Sequence, residues 1–361
     1  MKNIKKFFLT AAICFLLAAS VCVVQADDTT EVTPAPEVTG TPTPEPSVIP
    51  TPTPVPLVEG WNKLPDGRKM YVKAGKPVKG LQSIGKNTYC FDAEGYLIVK
   101  DWFKKGSKTY HTDKNGIIIK NRLATIDKKV YYFNSKGYLH KGWKTFKNGK
   151  SYFGTNGARV TGLKKIGKKY YYFNSKGIMK TGTVKVKTTT YYLNAKGELE
   201  ARQKGSKYYY PGGKPMSSVD ANDFATLQTA KGIVNKITSK NMSKAQKLQT
   251  CFNWVIKKPY VIRRSFVNVK GWPAVYANDH FKLGGGNCFA DGAAFAYLAK
   301  ALGYTNVYVC VDSKGPARGH AWAEVNGLVY DPLFAEAKSY SRNYGVRYGV
   351  YPLHPILHIK V

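Results

Sequence analysis

Three side chains near the end of this 361-residue chain could do chemistry together. Cys288 follows "GGGN" and opens the alanine-rich run "CFADGAAFAYLAKALG". His320 opens "HAWAEV", and Asp331 lies in "LVYDPL". A thiol becomes a strong nucleophile once an imidazole takes its proton. A carboxylate behind the imidazole holds that ring in orientation. Such a set could attack an amide carbonyl and carry the acyl group as a thioester, which water or an amine would then release.

Local structure must bring the three together. Asn287 is a good helix N-cap, which puts Cys288 in the first turn, where the partial positive charge favours a thiolate. The glycines before it are expected to let a substrate backbone come close. Asn326-Gly327 predicts a two-residue type I′ hairpin turn. Val325 then faces Leu328, and the register runs outward to Trp322 with Asp331 and His320 with Leu333. Alternation puts His320, Trp322, Glu324, Val329 and Asp331 on one face. His320 and Asp331 become diagonal neighbours, roughly 7–8 Å apart at the backbone. Glu324 starts about 13 Å from His320 along the strand, so Asp331 is the better orienting group.

The surrounding residues 218–361 read as a mixed α/β domain. Apolar residues at three- and four-residue spacing predict helices within 217–238 and 242–258, the second capped by Ser243, and Gly303 stops the Cys288 helix. The text "NVYVCV" predicts a further strand. Cys251 and Cys310 read as small buried hydrophobes, with a disulfide between them left open. His280 is expected in a loop before the Cys288 helix. His354 and His358 flank Pro355 without metal-ligand company and read as surface or packing residues. No metal and no cofactor is expected.

Upstream, a repeat dominates. Gly75, Gly95, Gly116, Gly137, Gly157, Gly177 and Gly197 recur at intervals of 20 or 21 residues. Around them stand "YYFNSKGYLHKGW", "SYFGTNGARVTGL" and "YYYFNSKGIMKTGT". An aromatic strand, a polar turn ending in Gly and a second short strand make a β-hairpin. Such a unit buries its faces only by stacking in series, so residues 58–217 are expected to form a β-hairpin repeat solenoid. The aromatics, and Cys90 among them, are expected mostly in its core. This segment has 35 Lys/Arg against nine Asp/Glu, net +26 of the chain's +34, so it should meet something anionic.

These repeats resemble the cell-wall-binding repeats of Gram-positive surface proteins, a group that includes choline- and glucan-binding modules. In choline-binding members, a tryptophan before the paired aromatics joins the "GW" tryptophan in a cage. Here the first position reads Thr88, Thr109, Val130, Lys150, Tyr170 and Thr190, and only Trp61, Trp102 and Trp143 fill the second. A cation–π cage needs several ring faces, so anionic wall polymers such as teichoic acid, or glycan stacking, suit the segment better than choline. Trp61, Trp102, Trp143 and Tyr170 are the candidate wall-binding aromatics.

Residues 220–361 look like the transglutaminase-like superfamily, on the order of Cys288 in "GGGNC", His320 in "GHAWAEV" and Asp331 in "VYDP". The resemblance implies an α+β papain-like domain with Cys288 as nucleophile, His320 as base and Asp331 as its partner. The Cys288 backbone N–H would be one oxyanion donor. Trp272 in "KGWPAV" is a second candidate by order, and Trp322 a weaker one. Animal members need calcium, but eight scattered acidic residues and no Asp-rich loop argue against that here. A wall peptidase of the NlpC/P60 type is a rival, although "GNCFADG" lacks its usual Asp-Cys-Ser context.

The start of the chain predicts export. A Lys-rich opening, an apolar run from Phe7 to Val24 and "VQA" read as a signal peptide over 1–26, leaving no stable membrane span after cleavage. Residues 27–57 contain nine of the 19 prolines and read as an extended linker. The expectation is a secreted, surface-held, multidomain cysteine enzyme acting on peptide or protein amides, with wall polymers rather than nucleic acid as partners. The alternative is a non-catalytic adhesion or scaffold protein.

Overall fold

The repeat hairpins follow directly from their text. In the computed structural model, which describes residues 56–313 and 319–361, Arg122–Ile126 pairs antiparallel with Lys129–Phe133 around Asp127 and Lys128, both at positive φ. Hairpins of the same kind recur, among them Gly142–Phe146 with Gly149–Phe153 and Gly162–Ile166 with Lys169–Phe173. Each is tied to the one before it. Leu139 N–H donates to the Thr109 carbonyl, Arg159 N–H to Val130 and Met179 N–H to Lys150. Phe133, Phe153 and Phe173 have no exposed surface, and each such burial contributes roughly 1.5–3 kcal/mol. Cys90 is buried with Tyr110 and Ile118.

The recurring glycine has two reasons to be glycine. Gly137 has φ 81°, and a Cβ there would stand 2.7 Å from Ile118 Cγ2 of the preceding repeat. Asn134 shapes the same turn by accepting the N–H groups of Lys136 and Tyr138 at 3.0 and 2.9 Å.

Beyond the repeats, helices α1 (Ser218–Ile237), α2 (Lys244–Ile256), α3 (Trp272–Leu283) and α4 (Cys288–Ala301) lead to a five-stranded antiparallel sheet. The strand order across it is Tyr344–Val346, Leu328–Tyr330, Ala321–Val325, Val307–Val311, Leu357–Lys360. A short helix, α5 (Pro332–Ala337), follows the hairpin. Ala290, Ala293, Ala294, Ala296 and Ala299 let α4 lie in the core, buried on every side. One sheet face, with Val307, Val309, Ala321 and Ala323, joins that core. The other carries Cys310, Trp322 and Val329 under Tyr351, Tyr348 and Leu353.

The two halves meet directly. Tyr192 and Tyr208 pack on Phe224 of α1, and the Tyr210 hydroxyl donates to Asp220 Oδ2 at 2.8 Å. Residues Leu57–Val361 thus form one compact unit. The expected signal peptide and almost all of the linker lie outside the described residues. No helix among the described residues is long and apolar enough to cross a membrane.

The structure adds α3, which the sequence reading left as loop. Pro273 sits in its first turn, where the missing N–H costs nothing.

Candidate functional site

Asn287 caps α4 through its side chain, which accepts the Ala290 N–H at 3.2 Å, and Cys288 is the first helical residue. The glycines before it serve the chain's own packing rather than substrate access. A Cβ on Gly285 would stand 2.3 Å from the Pro259 carbonyl, and one on Gly286 would stand 2.2 Å from Ala290 Cβ. Gly284 ends α3 at φ 79°.

The hairpin opposite pairs Val325 with Leu328, Glu324 with Val329 and Ala323 with Tyr330, around Asn326 and Gly327 at positive φ. Pairing stops there. The sequence reading carried the strand on to Leu333, but Asp331 is instead the N-cap of α5. Pro332 brings no N–H to a ladder and fits the start of a helix. The turn of chain leaves the Asp331 side chain completely buried and shared among three donors. Its Oδ1 accepts the Phe334 N–H at 3.0 Å. Its Oδ2 stands 2.7 Å from His320 Nε2 and accepts the Tyr351 hydroxyl at 2.7 Å.

His320 lies just before its strand. Its backbone N–H donates to Asp312 Oδ1 at 2.6 Å, and its ring stacks on Phe334 at 4.0 Å. The Cys288 thiol lies beside this residue, its Sγ 3.9 Å from the carbonyl of Gly319. With Nε2 on Asp331, the nitrogen left for the thiol is Nδ1. Burial pulls the imidazole down, but the bond to Asp331 and the nearby Cys288 outweigh that and push it up to about 9. Such a ring holds a proton taken from sulfur. His320 and Asp331 are therefore bonded directly, and Cys288 stands next to them through Gly319.

Tyr351, Phe334 and Asp312 also hold this group, and sequence reasoning missed them. Phe334 was reachable, because it stands in the first turn of a helix whose Asp-Pro start is legible. Tyr351 arrives from a segment with no periodic signal.

Trp272 is almost wholly buried against Phe266, Tyr276 and Phe289, and its indole N–H has no acceptor among the described residues. Trp322 donates its N–H to the Tyr348 hydroxyl at 3.3 Å, on the outer sheet face. His280, expected in a loop, is a fully buried residue of α3 whose Nδ1 lies 2.8 Å from Asp291 Oδ1. Burial pushes the Asp291 carboxyl up, and the bond to His280 pulls it partly back. Cys251 and Cys310 are free and sit in separate clusters. His354 stacks on Tyr348, whereas His358, read as lacking ligand company, reaches Glu324 and Cys310.

In the repeats, each tryptophan bridges two hairpins. Trp61 contacts Tyr71 of its own hairpin and Tyr89 and Phe91 of the next. Trp102 meets His111, Tyr131 and Phe133, and Trp143 meets Tyr152, Tyr171 and Phe173, in the same way. The Lys150 amine covers the Trp143 ring at 4.5 Å. An open cleft of about 600 Å³ runs beside Trp61, lined by Lys63, Lys69, Tyr89 and Leu97. Tyr170 joins none of these groups and instead takes the Lys165 amine over its ring at 5.8 Å.

Comparison with known proteins picks out the repeats. Residues 121–139 match the family described as putative cell wall binding repeat, and residues 160–204 that described as choline-binding repeat. The β-hairpin repeats are thus of the cell-wall-binding, choline-binding type. Glucosyltransferase-S of Streptococcus mutans is 38% identical over 103 residues, 27% of this chain and 7% of that protein. Glucosyltransferase-I of Streptococcus downei is 32% identical over 87 residues, 23% of this chain and 5% of that one. The chain thus spans only a small part of the curated relatives it matches. Among solved structures, choline binding protein F of Streptococcus pneumoniae covers 44% of this chain and 58% of its own, at 27% identity and TM-score 0.37. The choline-binding domain of CbpL from the same organism covers 44% and 87%, at 26% identity and TM-score 0.33.

Proposed function

We propose that this is a secreted, cell-surface protein whose repeats attach it to wall polymers and whose C-terminal domain is a transglutaminase-like cysteine enzyme. Attachment is supported by the two repeat-family matches and by the basic excess of residues 58–217. The catalytic reading rests on one observation, the His320 ring bonded to Asp331 with the Cys288 thiol against the neighbouring Gly319 carbonyl. In that reading Nδ1 takes the thiol proton as sulfur attacks an amide carbonyl. The imidazolium then protonates the leaving amine, and a thioester remains on Cys288. Water or a second amine completes hydrolysis or transfer.

A non-catalytic adhesion or scaffold protein fits the comparisons at least as well, because the family matches fall within the repeats. The two readings separate in one experiment. Full-length protein is treated with a thiol-reactive amide probe, and the modified peptide is located by mass spectrometry. Labelling at Cys288, lost in His320→Ala, supports the enzyme. Wall binding without any Cys288 labelling supports adhesion alone.

A further inference from the structure

The outer face of the sheet gathers a second set of chemically competent side chains, away from the thiol of α4. Cys310 and His358 stand directly opposite each other on neighbouring strands, and Glu324 stands opposite Tyr308 on the other side of the Cys310 strand. Antiparallel partners share a face, and so do residues two apart on one strand. Cys310, Glu324 and His358 therefore point the same way. Their ligand atoms all lie within 4.8 Å of one another. His358 Nε2 is 3.0 Å from Glu324 Oε2, with its ring stacked on Tyr308 at 4.0 Å.

We propose that Cys310, Glu324 and His358 form a binding site for a divalent transition-metal ion, with Zn²⁺ as the best match. One thiolate, one imidazole and one carboxylate are the donors that Zn²⁺ takes, at roughly 2.0–2.3 Å from the ion. Ligand atoms around such an ion stand roughly 3.5 Å apart, so the present spacing needs only a small contraction. The outer contacts are already made. The Tyr348 hydroxyl donates to Glu324 Oε2 at 2.9 Å and lies 3.7 Å from the Cys310 sulfur. Trp322 N–H in turn holds that hydroxyl. Supporting bonds of this kind orient metal ligands. Entry is open on one side, because the His358 side chain is 43% exposed while Cys310 and Glu324 are buried.

Binding replaces the Cys310 S–H bond with a sulfur–metal bond and releases the proton to solvent. The fourth position of a tetrahedral ion would be taken by water. The ion would clamp the C-terminal strand onto the middle of the sheet.

Cobalt(II) is the test, because it occupies zinc sites and shows a sulfur-to-metal charge-transfer absorption when a thiolate binds. Full-length protein, reduced without added thiol and kept free of oxygen, is titrated with Co²⁺ and then with Zn²⁺. The absorption should appear, should be displaced by Zn²⁺, and should persist in Cys288→Ala. It should vanish in Cys310→Ser. Cys310 is fully buried, so His358→Gln at the exposed edge is the second variant, and it should bind at least ~10-fold more weakly. No absorption in the wild type overturns the site. So does absorption that survives Cys310→Ser, disappears in Cys288→Ala, or is unchanged in affinity by His358→Gln.

Discussion

At the scale of single residues, Asp331 does two jobs with one carboxylate. Oδ1 starts α5, and Oδ2 holds His320. Asp331→Asn keeps the shape but turns one lone-pair site into an N–H₂ that faces His320 or Tyr351. Alkylation of Cys288 by iodoacetamide should slow by roughly 10-fold or more, though less than the ~10⁴ lost from a serine triad, since a thiol gives up its proton more easily. Glu324→Gln should leave the rate nearly unchanged, because Glu324 bonds Tyr348 and His358 and not His320. In the wild type, Cys251 and Cys310 should react far more slowly than Cys288. Both are fully buried, and burial pushes each thiol up to about 12. Mass spectrometry of the labelled peptides gives all of these rates. Equal rates at the three cysteines, or a larger loss in Glu324→Gln, would remove the assigned roles. The His320 proton also sets a pH dependence. Its folded value, about 9, lies above the ordinary 6.5. The stabilisation is therefore complete below about 6.5 and is lost as pH rises through about 9. It is at most roughly 3 kcal/mol. The difference in urea midpoint between wild type and His320→Gln should shrink across that window, and a gap that widens instead would contradict it.

At the scale of elements, two turn types carry the repeats, and they differ in what a side chain would meet. Gly137 and Gly142 both have positive φ, 81° and 86°, but only Gly137 faces a packed neighbour. Gly142→Ala should cost the backbone strain alone, about 1–2 kcal/mol. Gly137→Ala should cost about 1–3 kcal/mol more, because Ile118 must move. Urea unfolding followed by tryptophan fluorescence compares them, and equal losses would mean that the stacking of neighbouring repeats does not tighten at this glycine. In the C-terminal half, α4 depends on small residues for its depth. A Cβ on Gly292 of α4 would stand 3.0 Å from the Trp322 backbone, so the helix start lies close against the strand that follows His320.

At the scale of the whole molecule, the strongly basic repeats and the C-terminal domain form one unit, joined through Phe224, Asp220 and three tyrosines. Whatever polymer the repeats hold, the thiol stands at a set distance from it. Full-length protein should bind Gram-positive walls, and sodium chloride should weaken that binding because exposed charges are screened within about 10 Å at 0.1 M salt. Free choline at constant ionic strength should not elute it. Trp61, Trp102 and Trp143 each already pack against rings of two hairpins, and the Lys150 amine covers the Trp143 ring. Elution by choline in a wall pull-down would show that these clusters still work as cages.

What the sequence determined by itself is what depends on near neighbours. The hairpin period, the Asn287 cap, the Asn-Gly turn and its register are local matters of turn chemistry and alternation. They were enough to place Cys288 at a helix start and to set the hairpin register as far as Ala323 with Tyr330. The tertiary structure decided what depends on distant chain. Tyr351 meets Asp331 across 20 residues, and His358 meets Glu324 across 34. The Phe334 bond that makes Asp331 a helix cap is local, but the Tyr351 hydroxyl on the same carboxylate comes from distant chain. No local pattern encodes such contacts, because they form only when the C-terminal segment folds over the outer face of the sheet.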